Sequence, residues 1–175
     1  ADRQRLRGLV QRVISASVAI DSRIAGDIGR GFLVLVCAMA GDREADADTL
    51  ARKIAALRIF KDDAGKMNLP LAAVDGAVLV VSQFTLAADG MESGNRPGFS
   101  RAAPPAEGEG LYQRFCSALS SYGLRVETGV FGEERNLHFA EPDFTREWMI
   151  AAVAALRGIA ERQQEALVAA RQILQ

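Results

Sequence analysis

The chain has 175 residues, enough for one domain with a core of its own, and its composition of 49% hydrophobic and 25% charged residues is that of a globular protein. A formal net charge of −1 gives no overall attraction to nucleic acid, although a few arginines on one face would suffice to contact phosphates. Two cysteines are too few for a disulfide framework, no signal peptide is recognised, and the longest apolar runs are too short to cross a bilayer, so a cytoplasmic location without membrane contact is expected.

The first part of the chain predicts strands followed by one helix. Side chains alternate over 13–20, three glycines punctuate 26–31, and an apolar run follows over 32–40, so residues 7–40 predict strand, turn, strand, turn, strand. From 46 to 57 the apolar residues recur at helical spacing, and Asp46 or Asp48 is suited to cap the helix N-terminus. The Asp-Asp-Ala-Gly sequence within 57–69 then predicts a turn between two short extended pieces.

The second part begins with the run AVLVVSQFTL, whose unbroken apolar start predicts a central, buried strand over 78–86. A long stretch rich in Gly, Pro and Ser follows, and loops of this length in a compact domain are usually functional. A helix over 110–122, two closing strands and a helical pattern over 144–175 complete the chain. The sequence therefore predicts a single α+β domain over 1–175 with a C-terminal helical extension.

Three polar side chains interrupt the apolar run near its end: Ser82, Gln83 and Thr85. A buried hydroxyl or amide without a partner costs about 1–3 kcal/mol, so these groups should have partners or a function. The single histidine, His138, has no Ser or Asp placed to form a catalytic triad with it. Metal-ligand spacing and phosphate-binding glycine motifs are also missing from the sequence, so neither a metal nor a cofactor is expected.

Five segments, in the order in which they occur, resemble the D-aminoacyl-tRNA deacylases, a family first described as D-tyrosyl-tRNA deacylases. The most specific is the S-Q-F-T segment, residues 82–85, and the resemblance covers roughly residues 7–142. The five segments are LVQRVISASVAID (9–21), KIAALRIFKDDAGKMN (53–68), VLVVSQFTLAAD (78–89), GNRPGFSRAAPP (94–105) and ETGVFG (127–132). Because separate motifs agree in one order, the chain is identified as a member of this family.

The resemblance implies two packed β-sheets with helices on one side, and a homodimer that hydrolyses the ester joining a D-amino acid to the terminal adenosine at the 3′ end of tRNA. Its catalytic segment would be Ser82, Gln83, Phe84 and Thr85. The backbone N–H groups of Phe84 and Thr85 would face the ester carbonyl, so that no titrating side chain is needed. Thr85 would line the pocket and orient the substrate, because an isolated threonine without a base is a poor nucleophile. The 2′-hydroxyl of the tRNA would help to activate the water.

The same resemblance implies a set of substrate-binding residues: Arg7, Phe99, Ala102, Ala103, Glu141 and Pro142. The arginine would contact a phosphate or the adenosine. Phe99 and the two alanines belong to a segment that resembles the family's RPxFxxAxxP loop, which forms a wall of the pocket. The last two residues lie where the family extends a segment into the pocket of the partner subunit.

The chain departs from the family at this last segment, where a Gly–cis-Pro peptide excludes L-amino acids. An ungapped alignment places Asp143-Phe144 there and a shifted one places Glu141-Pro142 there, so both lack the glycine. Because a Cβ prevents the close approach that glycine permits, residues 141–145 are expected not to reproduce this geometry. Selectivity for D over L is then expected to be weaker than in the family, or to depend on another element that excludes L-amino acids. Arg135 also replaces a usually apolar residue. The alternative hypothesis is a non-catalytic family member that binds aminoacyl-tRNA ends or proteins.

Overall fold

The structure, a computed structural model, describes residues 5–89, 94–141 and the backbone of 152–154. In chain order its strands are β1 (Arg7–Val13), β2 (Ser15–Ile20), β3 (Arg23–Ile28), β4 (Gly31–Cys37), β5 (Phe60–Lys61), β6 (Met67–Leu69), β7 (Ala77–Ser82), β8 (Arg125–Thr128), β9 (Asn136–Ala140) and β10 (Ala152–Ala154). The helices are α1 (Glu44–Ala56) and α2 (Pro105–Ser120), and short 3₁₀ helices occupy Leu71–Val74 and Phe84–Ala87.

Two sheets pack against each other. The larger has the order β10-β1-β4-β7-β8, with β4, β7 and β8 parallel, and the smaller has the antiparallel order β3-β2-β9. Along β7, Leu79 and Val81 belong to the core between the sheets, whereas Val78 and Val80 belong to the core beneath α1 and α2. The strand is therefore buried on both faces, which explains its unbroken apolar sequence. The predicted α+β fold of two packed sheets with helices on one side is confirmed.

The chain changes sheets at Ile14, between β1 and β2. The sequence predicts one strand across this point, and the structure has two, one in each sheet. The bend leaves the Ile14 side chain exposed, while its amide donates to the carbonyl of Ala140 next to it at 2.9 Å. Because both pieces contain alternating residues, periodicity alone does not reveal where one strand ends and the next begins.

The start of α1 differs from its prediction. Asp46 is the third residue of the helix rather than its N-cap, and Asp48 lies further inside. The Asp46 carboxylate instead accepts a hydrogen bond from the amide of Arg43, the capping residue, at 2.9 Å. A carboxylate in the first turn of a helix can accept a hydrogen bond from a free backbone amide, as an N-cap side chain before the helix also does. The sequence therefore does not distinguish an aspartate at the N-cap from one in the first turn.

The start of α2 lies at Pro105, five positions before the predicted start at 110. Proline suits the first position of a helix, because its missing N–H would have no acceptor there. Gly108 and Gly110 lower the helix propensity near the start of α2, so the sequence pattern does not indicate that the helix begins at Pro105. The loop before the helix is correspondingly shorter than predicted. Among the described residues, no helix is long and apolar enough to span a membrane.

The predicted strand over 78–86 is confirmed up to Ser82 and is wrong beyond it. The backbone forms a 3₁₀ helix over Phe84–Ala87, so the S-Q-F-T segment straddles the point where the chain leaves the sheet. The predicted extended pieces within 57–69 occur as the hairpin of β5 and β6, and the two closing strands occur as β8 and β9.

The predicted C-terminal helix over 144–175 coincides with one described piece of backbone, Ala152–Ala154. The backbone of these three residues forms β10, antiparallel to β1, with Val153 opposite Gly8, and the helix over 144–175 stays a prediction. Without β10, one edge of β1 would have backbone N–H and C=O groups without hydrogen-bond partners. Pairing there favours an extended conformation for Ala152–Ala154, although apolar residues recur nearby at helical spacing. The rest of the predicted helix lies outside the described residues.

Candidate active site

A small pocket opens where the S-Q-F-T segment leaves the larger sheet. Because β4 and β7 are parallel, with Val36 opposite Ser82, their C-terminal ends meet at this edge. The lining residues are mostly apolar or small: Leu6, Val36, Cys37, Ala38, Ser82, Phe84, Ala102, Ala103, Gly108, Tyr112 and Phe131. No carboxylate and no histidine belongs to this described lining. The polar chemistry of the pocket therefore rests on the backbone, hydroxyl groups and a thiol.

Two backbone amides at the start of the 3₁₀ helix have no acceptor among the described residues. The amide of Gln83 donates to the carbonyl of Val36 at 2.9 Å, which extends the pairing with β4. The chain then turns, and the amide of Leu86 donates to the carbonyl of Gln83 at 3.2 Å. Amides in the first turn of a helix have no acceptor within it. Residues 5–89 and 94–141 offer none to the amides of Phe84 and Thr85.

A row of hydrogen bonds links the polar groups of the segment. The guanidinium of Arg135 donates to the backbone carbonyl of Ser82 and, at 2.6 Å, to the side-chain oxygen of Gln83. The side-chain amide of Gln83 donates in turn to the hydroxyl of Thr85. Gln83 and Thr85 thus have partners, as predicted. Because Gln83 is only half-buried and Thr85 is exposed, the cost of burying an unpaired polar group does not by itself explain these hydrogen bonds. The sequence identified Arg135 only as a departure from the family, since nothing local links it to a residue 52 positions earlier.

The predicted wall residues lie around the same pocket. Phe84 is 59% exposed, and its ring meets that of Phe99 edge to face with centroids 5.1 Å apart. Ala102 and Ala103 line the pocket directly. The amide of Ala103 donates to the carbonyl of Ala38 at 3.0 Å, which attaches this loop to the residue that follows β4. Phe99 therefore packs against Phe84, which lines the pocket, and the small side chains of Ala102 and Ala103 leave space within it.

The remaining predicted binding residues lie in other places. The guanidinium of Arg7 donates to the carbonyl of Leu86 at 2.6 Å, so in the structure it holds the 3₁₀ helix that carries the segment. Glu141 follows β9 and does not line the pocket. Pro142 lies outside the described residues, as does most of the segment 141–145. Their roles in binding stay predictions.

The titratable side chains at the pocket are held in their neutral forms. Burial raises the pKa of the Cys37 thiol, and burial likewise raises the pKa of Cys116, on α2, to about 12. Burial also raises the pKa of Tyr112, whose hydroxyl donates to the carbonyl of Val80 at 3.0 Å. A neutral thiol is a weak nucleophile. Within the described chain, no cluster of three or more His, Cys, Asp or Glu residues could hold a metal ion.

The sequence of the chain is similar to that of a known protein family. The family model for D-Tyr-tRNA(Tyr) deacylase matches residues 9–142 of the chain. The D-aminoacyl-tRNA deacylase of Ruegeria pomeroyi is 58% identical over 144 residues, which cover 82% of this chain and 99% of that protein. The match thus spans nearly the whole of the relative and includes the S-Q-F-T segment.

Two solved structures share the fold. One is the c-Myc DNA unwinding element binding protein, with a TM-score of 0.70 at 33% identity, covering 77% of this chain and 91% of that chain. The other is described as a probable eukaryotic D-amino acid tRNA deacylase, with a TM-score of 0.69 at 16% identity, covering 78% of this chain and 94% of that chain. Fold and matches together define the class of the protein as a hydrolase of D-aminoacyl-tRNA. The chain belongs to the D-Tyr-tRNA(Tyr) deacylase family, as its motifs predicted.

Proposed function

We propose that the S-Q-F-T segment is the reaction centre at which this enzyme hydrolyses the ester of D-aminoacyl-tRNA. The observation that carries the proposal is the pair of amides at Phe84 and Thr85 that lack acceptors among the described residues. Donors about 2.7–3.1 Å from an ester oxygen stabilise the negative charge that develops there as the carbonyl is attacked. Because the parallel strands and the turn hold these donors in place, little reorganisation accompanies the reaction.

The attacking group in this proposal is water. Water adds to the carbonyl carbon, the bond from that carbon to the ribose oxygen breaks, and the ribose oxygen takes up a proton. The products are the free D-amino acid and the tRNA. The lining supports this assignment, because the Cys37 thiol is neutral and the described lining contains no histidine or carboxylate to activate a side-chain nucleophile. The 2′-hydroxyl of the terminal adenosine lies next to the ester and helps to activate the water.

The 3′ end of the tRNA would enter over the exposed ring of Phe84 and the half-buried ring of Phe99 that packs against it. An aromatic face accepts a base or ribose without sequence preference, as the shared terminus of all tRNAs requires. Arg7 lies at the same edge of the sheet and supplies a positive charge near this entrance. We further propose that the enzyme is a cytoplasmic homodimer in which the partner contributes residues near Glu141 and Pro142 to each pocket.

The proposal is tested by incubating the purified chain with D-Tyr-tRNA and, in parallel, with L-Tyr-tRNA. Release of free D-tyrosine should be at least about tenfold faster than in buffer. Because the Gly-Pro pair is missing from 141–145, we also expect measurable release of L-tyrosine. Binding of tRNA without release of either amino acid would contradict the proposal and favour a non-catalytic binding module.

A further inference from the structure

Arg135 lies between β8 and β9, where the chain passes from the larger sheet to the smaller. Its guanidinium is half-buried, and its described partners are the carbonyl of Ser82 and the side-chain oxygen of Gln83. Within 5–89 and 94–141 it forms no ion pair with a carboxylate. Among the described residues, a positive charge thus lies beside the S-Q-F-T segment without an ion pair to offset it.

The direction of the hydrogen bonds follows from the chemistry of the groups. A guanidinium has only donors, so Gln83 must turn its oxygen toward Arg135 and its NH₂ group toward Thr85. The Thr85 hydroxyl therefore accepts a hydrogen bond from Gln83. A hydroxyl has a single hydrogen, and that of Thr85 is left to donate elsewhere. Since Thr85 is exposed at the mouth of the segment, its hydrogen is available to a substrate.

We propose that Arg135 is a positioning residue that acts through Gln83 to make Thr85 a hydrogen-bond donor to the reacting ester. The inference rests on the proposed function of the S-Q-F-T segment and adds a third donor to the two backbone amides. A hydrogen bond from a charged donor is roughly twice as strong as a neutral one and polarises the bonds that follow it. The Thr85 hydroxyl is thereby held as a donor, which opposes its use as a nucleophile.

The substitution Gln83→Glu distinguishes this arrangement from simple structural support. A carboxylate at this position would pair with Arg135 at least as strongly, so folding should be preserved. It would, however, have no donor for Thr85, whose hydrogen would turn back toward the carboxylate. We therefore expect Gln83→Glu to keep its thermal midpoint and to lower kcat about tenfold, with KM changed less than about twofold.

A double-mutant cycle tests whether Arg135 acts through Thr85. Arg135→Met and Thr85→Val should each lower kcat about tenfold, and the double variant should be no slower than Thr85→Val alone. Arg135→Lys, which retains one charged donor, should recover part of the loss. Arg125→Met is the matched control, because Arg125 is an exposed arginine on β8 that pairs with Glu127. It lies beside the start of β7, at the opposite end from the S-Q-F-T segment, so its loss should leave kcat unchanged.

The outcomes separate this inference from the proposed function. If the wild-type chain fails to release D-tyrosine from D-Tyr-tRNA, the proposed function itself is wrong. If the wild type is active while Gln83→Glu keeps full kcat, or the losses in the double variant multiply, Arg135 does not act through Thr85. Should Arg135→Met fail to fold, Gln83→Glu and Arg135→Lys decide the matter, because both retain a charged hydrogen bond at this position.

Discussion

The Thr85 hydroxyl is the group in the S-Q-F-T segment that most resembles a nucleophile, and its surroundings argue against that role. It accepts a hydrogen bond from Gln83, and no histidine or carboxylate belongs to the described pocket lining to take its proton. Cys37 is equally unsuited, because burial raises the pKa of its thiol and keeps it neutral. Pocket shape and backbone donors should therefore decide the rate more than any single reactive side chain.

Substitutions at two positions test this conclusion. Thr85→Ala should leave measurable deacylation, about tenfold slower than the wild type, because it removes one hydrogen bond and leaves the backbone amides in place. Ala102→Leu should abolish activity, because the larger side chain fills a pocket that Ala102 lines. Turnover of D-Tyr-tRNA measures both effects, with circular dichroism as a control for folding. A Thr85→Ala variant that binds substrate without any turnover would show that Thr85 is a nucleophile after all.

Among the elements, the close approach of β4 and β7 determines where the pocket forms. Gly31, the first residue of β4, lies opposite Ala77, the first residue of β7. A Cβ on Gly31 would lie 1.8 Å from the carbonyl oxygen of Ala77, a distance at which the strands would have to separate. The pairing that starts there continues to Val36 and Ser82 at the pocket, so the glycine supports the site from the far end of the sheet.

Gly31→Ala should therefore destabilise the protein by on the order of 3 kcal/mol, the upper range for overpacking a core. Gly29→Ala is the matched control, because a Cβ there would find its nearest neighbour, the carbonyl of Ile14, at 4.0 Å. Chemical denaturation of the two variants gives the comparison. Equal unfolding free energies for both would contradict the close packing of β4 against β7.

The two helices are joined by an ion pair between Arg114 of α2 and Asp48 of α1. The guanidinium donates to both carboxylate oxygens, at 2.8 and 2.9 Å. These hydrogen bonds lower the pKa of Asp48. A carboxyl whose pKa is lower in the folded state stabilises that state above its unfolded pKa, and this contribution is lost as the pH falls through the folded value.

Asp48→Asn should therefore lower the thermal midpoint at pH 7 by a small amount, because both partners are largely exposed and screened by water. The difference from the wild type should shrink once the pH falls below about 4, where the aspartate of the unfolded chain becomes protonated. Thermal unfolding of the wild type and of Asp48→Asn, from neutral to acid pH, measures this difference in thermal midpoint. A difference that stays constant down to acid pH would show that the ion pair is not its source.

For the whole molecule, the main expectation is a homodimer. Strand β9 has one neighbour, β2, within the described residues, so its other edge is unpaired there, and Phe139 on this strand is 48% exposed. Light scattering at micromolar concentration should give the mass of two chains, with a two-fold interface of about 1,600 Å² or more. A monomer at that concentration would contradict both the dimer and the shared pocket.

Local sequence patterns were sufficient to predict most of the fold. The unbroken apolar run of β7 specified a strand buried on both faces, because only such a position removes every one of its side chains from water. Contiguous motifs also specified much of the pocket: Ser82, Phe84, Ala102 and Ala103 were identified from short segments, and the structure brings them together. A motif carries such information because its residues share one turn or loop.

The sequence by itself thus determined the family, the layered α+β fold and the segments that form the pocket. Tertiary structure alone decided the contacts between distant parts of the chain. Arg135 meets Gln83 because the passage between the two sheets brings it there, and the edge of β1 pairs with Ala152–Ala154 although their sequence favours a helix. The physical reason is that such contacts depend on backbone and side-chain groups that become neighbours only after folding, and local periodicity contains no information about those partners.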